Sequence, residues 1–509
     1  MAPHLADEIL LNIFFYLELE VRELGNKQNG SSEWDALKAL SRLCAVSRRF
    51  KHLAQPLLYT TVPDLSGKYD ARLGKYVHHA RQNFMRTLGE QPHLTEAIRA
   101  FRVVNWWPDV GPLFETMRAN GYLDGRISDT FLARLYATIE TDKDHEEPTE
   151  APMMLSLFPN LELLDIEWNY SQNLTLEFVR EAASAGTHFS RLREVRVRHW
   201  DTEMATQFDA ILPLMLPSVW TFRGWAISWE GTDGIWEETD KSQDLADLHR
   251  LLNLQHVELN QSLCDPNGLA YMLDRCPKLR ILKIDWSSCG IGGSSDLNMA
   301  EFGNALREHY PPSLEELVLD PVDHDGCNEV FNPLGSLRGL SQLKRLGLAE
   351  FVLLGEPRSW RQSAEDALRR GENNSEAGGT LLSAQVGGAD GTTTASTAIS
   401  EPVPAAYAPT LDDFLPDSLE KLHIYEAREP EDTRAEFEAL DDQICDLLLN
   451  PARQNSLKEI RISCRDTPFP KVDMFKDMGW STWTEQNRKY VWTYGKREVD
   501  MVLARRLRR

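Results

Sequence analysis

The chain has few basic residues for its length. Lys plus Arg total 55 against 78 Asp plus Glu in 509 residues, so the formal net charge is −23. A surface of this sign repels nucleic acid and anionic membranes. We therefore expect neutral or basic protein partners, and neither nucleic acid nor a membrane among them.

Cysteine pairs and long apolar runs are also missing. The seven cysteines are an odd number and include no C-x-x-C pair, which indicates reduced thiols. No apolar run is long enough to cross a bilayer, and the sequence that begins Met1-Ala2-Pro3-His4 lacks the basic region of a signal peptide. These absences predict a soluble protein of the cytoplasm, the nucleus or both.

Motifs of catalysis and of cofactor binding are absent as well. The sequence has no G-x-S-x-G elbow, no Walker loop, no G-x-G-x-x-G after a strand and no H-E-x-x-H. Asp323-His324-Asp325-Gly326 resembles part of a calcium loop but lacks the first Asp and the closing Glu of an EF-hand. We therefore predict no catalytic residue, no cofactor and no metal site, and a protein that is not an enzyme.

One short apolar pattern, L-x-x-L-x-L, is abundant. In Leu279-Arg280-Ile281-Leu282-Lys283-Ile284 the two leucines and Ile284 would point inward, whereas Arg280 and Lys283 would stay in water. The same pattern begins at seven further positions, and a less leucine-rich version begins at Ile98. The seven positions are Leu161, Leu192, Leu254, Leu314, Leu343, Leu419 and Leu457.

The spacing of this pattern predicts the fold class. Leu254 lies 25 residues before Leu279, and Leu314 lies 29 before Leu343, which are leucine-rich-repeat distances, somewhat stretched. One such strand cannot bury its own apolar side, but successive strands can stack in parallel with helical returns between them. We therefore predict an α/β fold with an irregular leucine-rich-repeat solenoid. The alternative is a set of unrelated buried strands in an ordinary α/β domain.

The N-terminal 60 residues read as three helices. Residues 7–17 are apolar almost all round, so two sides of the first helix need cover, although its unit is small. The second helix carries Leu37, Leu40 and Leu43, and Ser47 is a plausible N-cap of the third.

These helices carry a resemblance to a known family. Leu5-Ala6-Asp7-Glu8-Ile9-Leu10-Leu11-Asn12-Ile13-Phe14-Phe15-Tyr16-Leu17, followed by Leu43-Cys44-Ala45-Val46-Ser47-Arg48-Arg49-Phe50-Lys51-His52-Leu53-Ala54, resembles an F-box. In that family the motif docks on the Skp adaptor of cullin-RING ubiquitin ligases, and a downstream repeat domain selects the protein to be ubiquitinated. In this chain Ala6 stands at the position of the family's usual Pro, and the connection from Glu18 to Asp35 is longer than usual.

The resemblance implies a function and an adaptor-binding set. The chain would be the substrate-recognition subunit of a Skp-cullin-F-box ubiquitin ligase, with a Skp-type adaptor, a cullin and an unknown protein substrate as partners. A repeat scaffold that binds proteins without ligase association is the alternative. The adaptor-binding residues would be Leu5, Ile9, Ile13, Phe14, Leu17 and Val46.

The repeated strands also predict a substrate-binding face. Side chains alternate along a strand, so every second position of the pattern points away from the core. We expect charge reversal at Arg196 with Arg198, or at Lys283, to weaken substrate capture without lowering the melting temperature. The predicted face consists of Asp165, Glu167, Arg196, Arg198, Glu258, Asn260, Lys283, Asp285, Arg345, Lys421, His423, Tyr425 and Arg461, with Asp320 at an equivalent position.

Composition divides the chain into five segments. Residues 371–410 are rich in Gly, Ser, Thr and Ala, which predicts a disordered insertion whose deletion leaves the fold intact. Trp480, Trp483, Tyr490, Trp492 and Tyr494 form an aromatic cluster suited to cover the last repeat. The predicted segments are 1–60 (F-box-like), 61–150 (helical linker and first irregular repeat), 151–370 (repeats), 371–410 (insertion) and 411–509 (final repeats and aromatic cap).

Overall fold

A computed structural model shows the architecture of the chain. The structure describes residues 6–24, 31–62, 68–70, 75–77, 79–103, 110–141, 149–168, 173–199, 205–229, 249–286, 297–321, 330–349, 352–353, 410–425, 434–451, 453–464, 472–477, 479–486 and 499–505. The chain forms two compact units. The first is made of Met1–Ser294, His309–Glu316 and Asp323–Cys327, and the second of Ser295–Glu308, Leu317–Val322 and Asn328–Arg509.

Three helices open the first unit: α1 (Asp7–Leu24), α2 (Ser31–Val46) and α3 (Arg48–Leu58). Their shared core consists of Leu10, Phe14, Leu40, Leu53 and Ala54. The predicted N-cap is confirmed, because the hydroxyl of Ser47 accepts a hydrogen bond of 3.1 Å from the Phe50 amide.

The first unit continues with strands that run parallel. They pair in the order β1-β4-β5-β6-β8-β10-β12. Three further strands, β7, β9 and β11, form a small parallel sheet of their own, and β2 and β3 form an antiparallel pair. The bounds are β1 (Thr61–Val62), β2 (Lys68–Asp70), β3 (Lys75–Val77), β4 (Ala100–Val103), β5 (Leu163–Trp168), β6 (Glu194–His199), β7 (Thr206–Gln207), β8 (Thr221–Trp225), β9 (Ile227–Trp229), β10 (His256–Asn260), β11 (Leu263–Cys264) and β12 (Ile281–Asp285).

The strand pattern in the sequence is confirmed as the source of the core. In and just before β12, Leu279, Leu282 and Ile284 are each fully buried, and the same holds for Leu161, Leu164 and Ile166 in and just before β5. Parallel neighbours in register bring equivalent apolar positions together, for example Leu282 beside Val257. Burial of a large aliphatic side chain contributes about 1.5–3 kcal/mol, so each added strand extends the core.

Helices connect the strands of this unit. The dipeptide Asn120-Gly121 in the sequence predicts a break between two helices. This break is confirmed, and Gly121 has a φ of 71°, a conformation that glycine adopts without strain. The apolar pattern from Leu73 to Leu88 predicts another helix. That prediction is wrong at its start, because β3 occupies residues 75–77 and the helix begins at His79. The helices are α4 (His79–Glu90), α5 (Gly111–Ala119), α6 (Asp129–Thr141), α7 (Glu150–Ser156), α8 (Asn173–Ser184), α9 (Phe208–Ile211) and α10 (Pro266–Arg275), with short 3₁₀ turns at Pro92–Ala97, Leu212–Leu214 and His249–Asn253.

The second unit also contains neighbouring parallel strands, but its sheet ends in two antiparallel strands. Its strands follow the order β14-β16-β17-β18-β20-β19, in which β16, β17 and β18 are parallel and β20 and β19 are antiparallel additions. Strands β13 and β15 form a separate pair. The strands are β13 (Leu297–Asn298), β14 (Glu316–Asp320), β15 (Val330–Phe331), β16 (Arg345–Ala349), β17 (Lys421–Tyr425), β18 (Glu459–Cys464), β19 (Trp480–Gln486) and β20 (Val499–Arg505); the helices are α11 (Met299–His309), α12 (Leu411–Phe414), α13 (Arg434–Leu449), α14 (Arg453–Ser456) and α15 (Val472–Asp477).

Each unit contains one helix that touches backbone through a glycine. A Cβ built on Gly268 of α10 would lie 1.9 Å from the Trp229 carbonyl oxygen, and one on Gly303 of α11 would lie 1.8 Å from the Leu334 carbonyl oxygen. Neither helix could hold its position with a larger residue there, because a backbone atom cannot rotate away.

The chain is therefore a mixed α/β protein with a large parallel sheet, which confirms the coarse part of the predicted fold. The predicted insertion lies outside the described residues, except that Thr410 caps α12. Tyr490, Trp492 and Tyr494 also lie outside them, while Trp480 begins β19 and is buried. Of the helices in the described part of the chain, none combines the length and the apolar character that a membrane span requires.

Candidate protein-binding surfaces

Helix α1 exposes apolar side chains that a folded protein normally covers. Ile9 is 47 % exposed, Ile13 50 % and Tyr16 71 %. Spacings of four and three residues place them on one side of the helix. We call Ile9, Ile13 and Tyr16 the apolar face of α1.

A second side of the same helix is also exposed. Leu11 and Phe15 are 38 % and 46 % exposed, whereas Leu10 and Phe14 are buried and Leu17 packs partly against them. Although apolar residues occur almost all round the helix, the fold buries only this narrow stripe, so apolar side chains remain exposed on either side of it. Exposed apolar area of this kind marks interaction surfaces.

The structure separates the predicted adaptor-binding residues into two groups. Ile9, Ile13 and Val46, which is 63 % exposed, are open to a partner. Phe14 is only 3 % exposed and lies 5.5 Å from Phe50, measured between ring centroids, so its inclusion as a contact residue is wrong: its side chain fills the core. Leu17 is half-buried in the same core, and Leu5 lies outside the described residues.

The second surface is the face of the sheet that points away from the apolar core. In the first unit, strand register aligns one residue from each strand into a row across it. We call this the charge row. Its members are Arg102, Asp165, Arg196, Arg223, Glu258 and Lys283, with Glu194 and Arg198 beside them on β6.

Asp165 holds two arginines at one end of the charge row. Its carboxylate lies 3.2 Å from Arg102 Nε and 3.0 Å from Arg198 Nη2. The Arg198 guanidinium also lies over the Trp225 ring, 4.6 Å from its centroid, a cation–π contact. Burial lowers the pKa of Arg198 and Asp165 opposes that shift, whereas Arg102 and Arg196 add to it.

Carboxylates and cations alternate along the rest of the row. Glu194 accepts from Arg196 Nε at 2.7 Å and lies 3.1 Å from Arg223 Nε. Arg223 Nη1 lies 3.3 Å from Glu258, and Lys283 Nζ lies 2.7 Å from Glu316. Burial alone would raise the pKa of Glu258. The His256 side chain, whose Nε2 lies 3.5 Å from Glu258, and the charges of Arg223 and Lys283 outweigh burial and lower that pKa to about 2.

This pairing changes the behaviour that we expect of an Arg196 variant. Asp165 and Arg196 are each only 5 % exposed, although they point away from the apolar core, because neighbouring charged side chains cover them. Reversing the charge of Arg196 would place a carboxylate beside Glu194. From the structure we therefore expect an Arg196 variant of this kind to melt at a lower temperature than the wild type, since it breaks a buried pair.

Other predicted residues of the first unit lie around this row. Glu167 stands beside Arg198 and Asn260 beside Trp225 in the strand register, and Asp285 ends β12; all three are half-buried. Sequence reasoning omitted Arg102, Glu194, Arg223 and Trp225. The available signals were the weaker patterns at Ile98 and Val219, whose outward positions hold Arg102 and Arg223.

The predicted residues of the second unit form another group. Arg345, Lys421 and Glu459 align across β16, β17 and β18, and His423 aligns with Arg461 two residues further along. Glu459 lies 2.7 Å from Lys421 Nζ and 3.9 Å from Arg461 Nη2. Tyr425 is 8 % exposed, and its ring centroid lies 4.1 Å from that of His423. Its side chain therefore packs against His423 and is largely covered. Asp320 is also buried, at 2 % exposed.

Within the described residues, no group of three or more His, Cys, Asp and Glu side chains could hold a metal ion. No family model matches the sequence, and a search of curated proteins finds no match.

Proposed function

We propose that this chain is the substrate-recognition subunit of a Skp-cullin-F-box ubiquitin ligase. The observation that carries the proposal is the apolar face of α1, whose Ile9 and Ile13 occupy positions that the F-box resemblance assigns to adaptor contact and are about half exposed. Full burial of an exposed side chain of this size contributes about 1.5–3 kcal/mol, and about half of that remains for a partner to supply at Ile9 and at Ile13. An apolar partner surface therefore gives this helix the cover that its own unit lacks.

The arrangement of the three helices supports the same role. Asp7 at the start of α1 binds Arg49 of α3, with Arg49 Nε donating to Asp7 at 2.7 Å. Leu10 and Phe14 fix the orientation of α1 on the core. The apolar face is thus held on a folded support, which lowers the entropy that docking must overcome.

In this proposal the outward face of the parallel strands selects the protein to be ubiquitinated. Lys283 of the first unit and Lys421 of the second have side chains that are 36 % and 48 % exposed, so a partner can reach them. Asp165 and Arg196 are buried and would not contact the partner; they would orient the neighbouring charged side chains with which they pair. The catalytic step belongs to the other ligase subunits.

The test separates the two exposed sides of α1. Ile9→Asp with Ile13→Asp places two carboxylates on the apolar face, and Leu11→Asp with Phe15→Asp places two on the other side at the same spacing. We expect the first pair to reduce capture of a purified Skp adaptor at least 50-fold, since each charge loses water without gaining a partner. The second pair should bind nearly as the wild type does.

Circular dichroism provides the control for folding. Phe14→Asp, in the core, should lose helical signal, whereas both exposed pairs should keep it. If the wild-type chain captures no adaptor, or if both pairs bind as it does, the ligase role fails and a protein-binding scaffold remains.

A further inference from the structure

An exposed tryptophan precedes one strand of the large sheet in the first unit. Trp220 lies directly before β8 and is 43 % exposed. A single exposed apolar residue is ordinary, so its surroundings decide what it means. The residue directly before every other strand of this sheet in the first unit is polar: Thr60, Arg99, Glu162, Arg193, Gln255 and Arg280.

Two further exposed apolar residues lie beside this tryptophan. Pro217 is exposed three residues before Trp220, and Leu252, in the 3₁₀ turn that precedes β10, is 37 % exposed. Asn253 Nδ2 donates to the Pro217 carbonyl oxygen at 2.9 Å, and the Gln255 amide donates to the Trp220 carbonyl oxygen at 2.8 Å. Hydrogen bonds therefore hold together the two loops that carry these three apolar side chains.

The Arg193 guanidinium covers one face of the indole ring. Its Cζ lies 4.8 Å from the centroid of the Trp220 ring, and the Trp220 amide donates to the Arg193 carbonyl oxygen at 3.0 Å. A planar guanidinium that stacks on an aromatic ring keeps the N–H donors of its edge, and these match a carboxylate in bidentate geometry. Arg193 thus offers an oriented cation at the border of the apolar residues.

A second cation lies on the other side of the same residues. Lys278, in the turn before β12, donates from Nζ to Asn253 Oδ1 at 2.7 Å. The strands follow the order β6-β8-β10-β12, so Trp220 and Leu252 lie between Arg193 and Lys278. Neighbouring strands are about 4.8 Å apart, so the starts of β6 and β12 are about 14 Å apart. We define the Trp220 patch as Arg193, Pro217, Trp220, Leu252, Asn253 and Lys278.

Both cations of the Trp220 patch are exposed, and neither forms an ion pair with a residue that the structure describes. The carboxylates that neighbour Arg193 and Lys278, in the sequence or across the strands, are engaged by other side chains. Glu162 lies 3.5 Å from Arg99, Glu194 2.7 Å from Arg196, Asp274 2.9 Å from His309 and Glu315 3.0 Å from Arg280. Arg193 and Lys278 therefore keep a charge that no paired carboxylate offsets.

We propose that the Trp220 patch binds a short extended segment of a partner protein in which a large apolar residue stands between two acidic residues. In an extended segment, side chains two positions apart point the same way, and each residue advances about 3.3 Å. Acidic residues four positions apart are thus about 13 Å from each other, close to the separation of the strand starts at Arg193 and Lys278. The apolar residue midway lies against Trp220 and Leu252. The recognised order is acid-x-apolar-x-acid.

The apolar centre of the Trp220 patch favours a peptide over nucleic acid. An indole ring also stacks on bases, but Pro217 and Leu252 offer a base no side-chain hydrogen bond. The net charge of −23 repels an extended phosphate backbone, whereas a five-residue segment meets only the patch. This inference goes beyond the proposed function and does not depend on it, because the binding needs no adaptor.

The test uses the full chain and the fluorescein-labelled peptide Gly-Gly-Asp-Ser-Phe-Ser-Asp-Gly-Gly, followed by fluorescence anisotropy. Trp220→Ala should weaken binding about tenfold or more, since it removes the apolar contact and the ring on which Arg193 stacks. Arg193→Ala and Lys278→Ala should each weaken it about threefold. Peptides with Asn in place of both Asp residues, or with Ser in place of Phe, should also bind more weakly.

Matched controls remove similar side chains elsewhere. Leu449→Ala removes an apolar side chain that is 60 % exposed in the second unit, and Arg86→Ala removes a cation whose side chain is 70 % exposed on α4. Both should bind within about twofold of the wild type. Trp220→Tyr keeps an aromatic ring and should bind more tightly than Trp220→Ala. Circular dichroism checks the folding of each variant. If Trp220→Ala loses helical signal, Trp220→Tyr, Arg193→Ala and Lys278→Ala decide the outcome.

Four results would each overturn the proposal: no peptide binding by the wild type, wild-type binding by a folded Trp220→Ala variant, equal losses in the controls, or tighter binding of a ten-residue oligouridylate than of the peptide. Adaptor capture on the same samples tests the ligase role separately. A wild type that captures the adaptor and ignores the peptide refutes the Trp220 patch alone, and one that binds the peptide without the adaptor refutes the ligase role alone.

Discussion

The charge row of the first unit and a group of charged side chains in the second lie on comparable strands but differ in how exposed their charges are. This second group, which we call the rim, lies at β16, β17 and β18 and consists of Lys344, Arg345, Glu420, Lys421, Lys458, Glu459 and Arg461. In the charge row, Asp165 is 5 % exposed and is shared by two arginines from the strands on either side. In the rim, Lys421 is 48 % exposed and has a single paired carboxylate, Glu459. The row mainly stabilises neighbouring strands, whereas the lysines of the rim remain largely exposed to solvent.

The difference shows that a side chain that points away from the apolar core of the sheet is not always exposed to solvent. On neighbouring strands, Glu194 pairs with Arg196 and Arg223, and Arg223 pairs with Glu258; each of these side chains is at most 21 % exposed. Removing one then leaves the others buried and unpaired, which costs several kcal/mol. Isolated exposed pairs contribute less than about 1 kcal/mol. Comparable positions in the two units should therefore respond differently to substitution.

The largest expected effect is that of Asp165→Ala. It leaves the Arg102 and Arg198 guanidiniums without their shared carboxylate, and both are less than one-third exposed. We expect the free energy of unfolding to fall by about 3 kcal/mol, measured by urea denaturation at pH 7. Asp165→Asn keeps the shape and should cost less. A loss below 1 kcal/mol for Asp165→Ala would remove the distinction between row and rim.

As the pH falls, stability should be lost in the first unit before the rim is affected, because the first unit contains the buried His188. Its Nε2 lies 2.9 Å from the Ser156 carbonyl oxygen and its ring packs against Phe178, with 1 % of the residue exposed. Burial lowers the pKa of His188 to about 4, although the bond to Ser156 opposes this shift.

The sign of the pH effect follows from this pKa. The unfolded chain binds a proton near pH 6.5 and the folded chain only near pH 4, so stability is complete above pH 6.5 and is lost as the pH falls through this interval. Between pH 7 and pH 5 we expect a loss of about 2 kcal/mol. Urea denaturation at the two pH values should show it, and His188→Gln should abolish most of the difference.

The rim provides the contrast for this experiment. The pKa of Glu420 is lowered by its bond to Lys458, so its contribution to stability is present above its ordinary value of 4.5 and is lost only below it. Glu420→Gln should therefore leave the pH 7 to pH 5 difference unchanged. An equal effect of the two substitutions would contradict the assignment to His188.

The smallest expected effect is that of Lys421→Ala. This change removes an exposed pair with Glu459 and should lower the free energy of unfolding by less than about 0.5 kcal/mol. The same urea denaturation provides the measurement. A loss comparable with that of Asp165→Ala would show that charge pairs in the rim contribute as much to the free energy of unfolding as those in the charge row.

Particular elements show how far sequence reasoning reached. Leu279, Leu282 and Ile284 predicted a buried strand, and their complete burial confirms it, because alternation of apolar and polar residues is a local property. The N-cap at Ser47 and the break at Gly121 are local as well. The start of α4 was missed because residues 75–77 pair with β2, a contact that no helical pattern reveals.

The candidate surfaces were predictable only in part. The outward positions of the strands followed from the alternation, but Phe14 and Arg196 were assigned to contact although the fold covers them. On a helix that is apolar all round, nothing in the sequence distinguishes the buried stripe of Leu10 and Phe14 from the exposed side of Ile9 and Ile13. That choice depends on Leu40, Leu53 and Ala54, which come from other helices.

The sequence alone determined the strands that carry the repeated pattern and showed that they need neighbours, because a six-residue pattern with one apolar side cannot fold by itself. It also determined the acidic balance of the chain, since charge adds up without regard to structure. Only the tertiary structure decided which charges are buried partners and which are exposed. Asp165 and Lys421 occupy comparable outward positions, and what separates them is the number of oppositely charged side chains that adjacent strands place within reach.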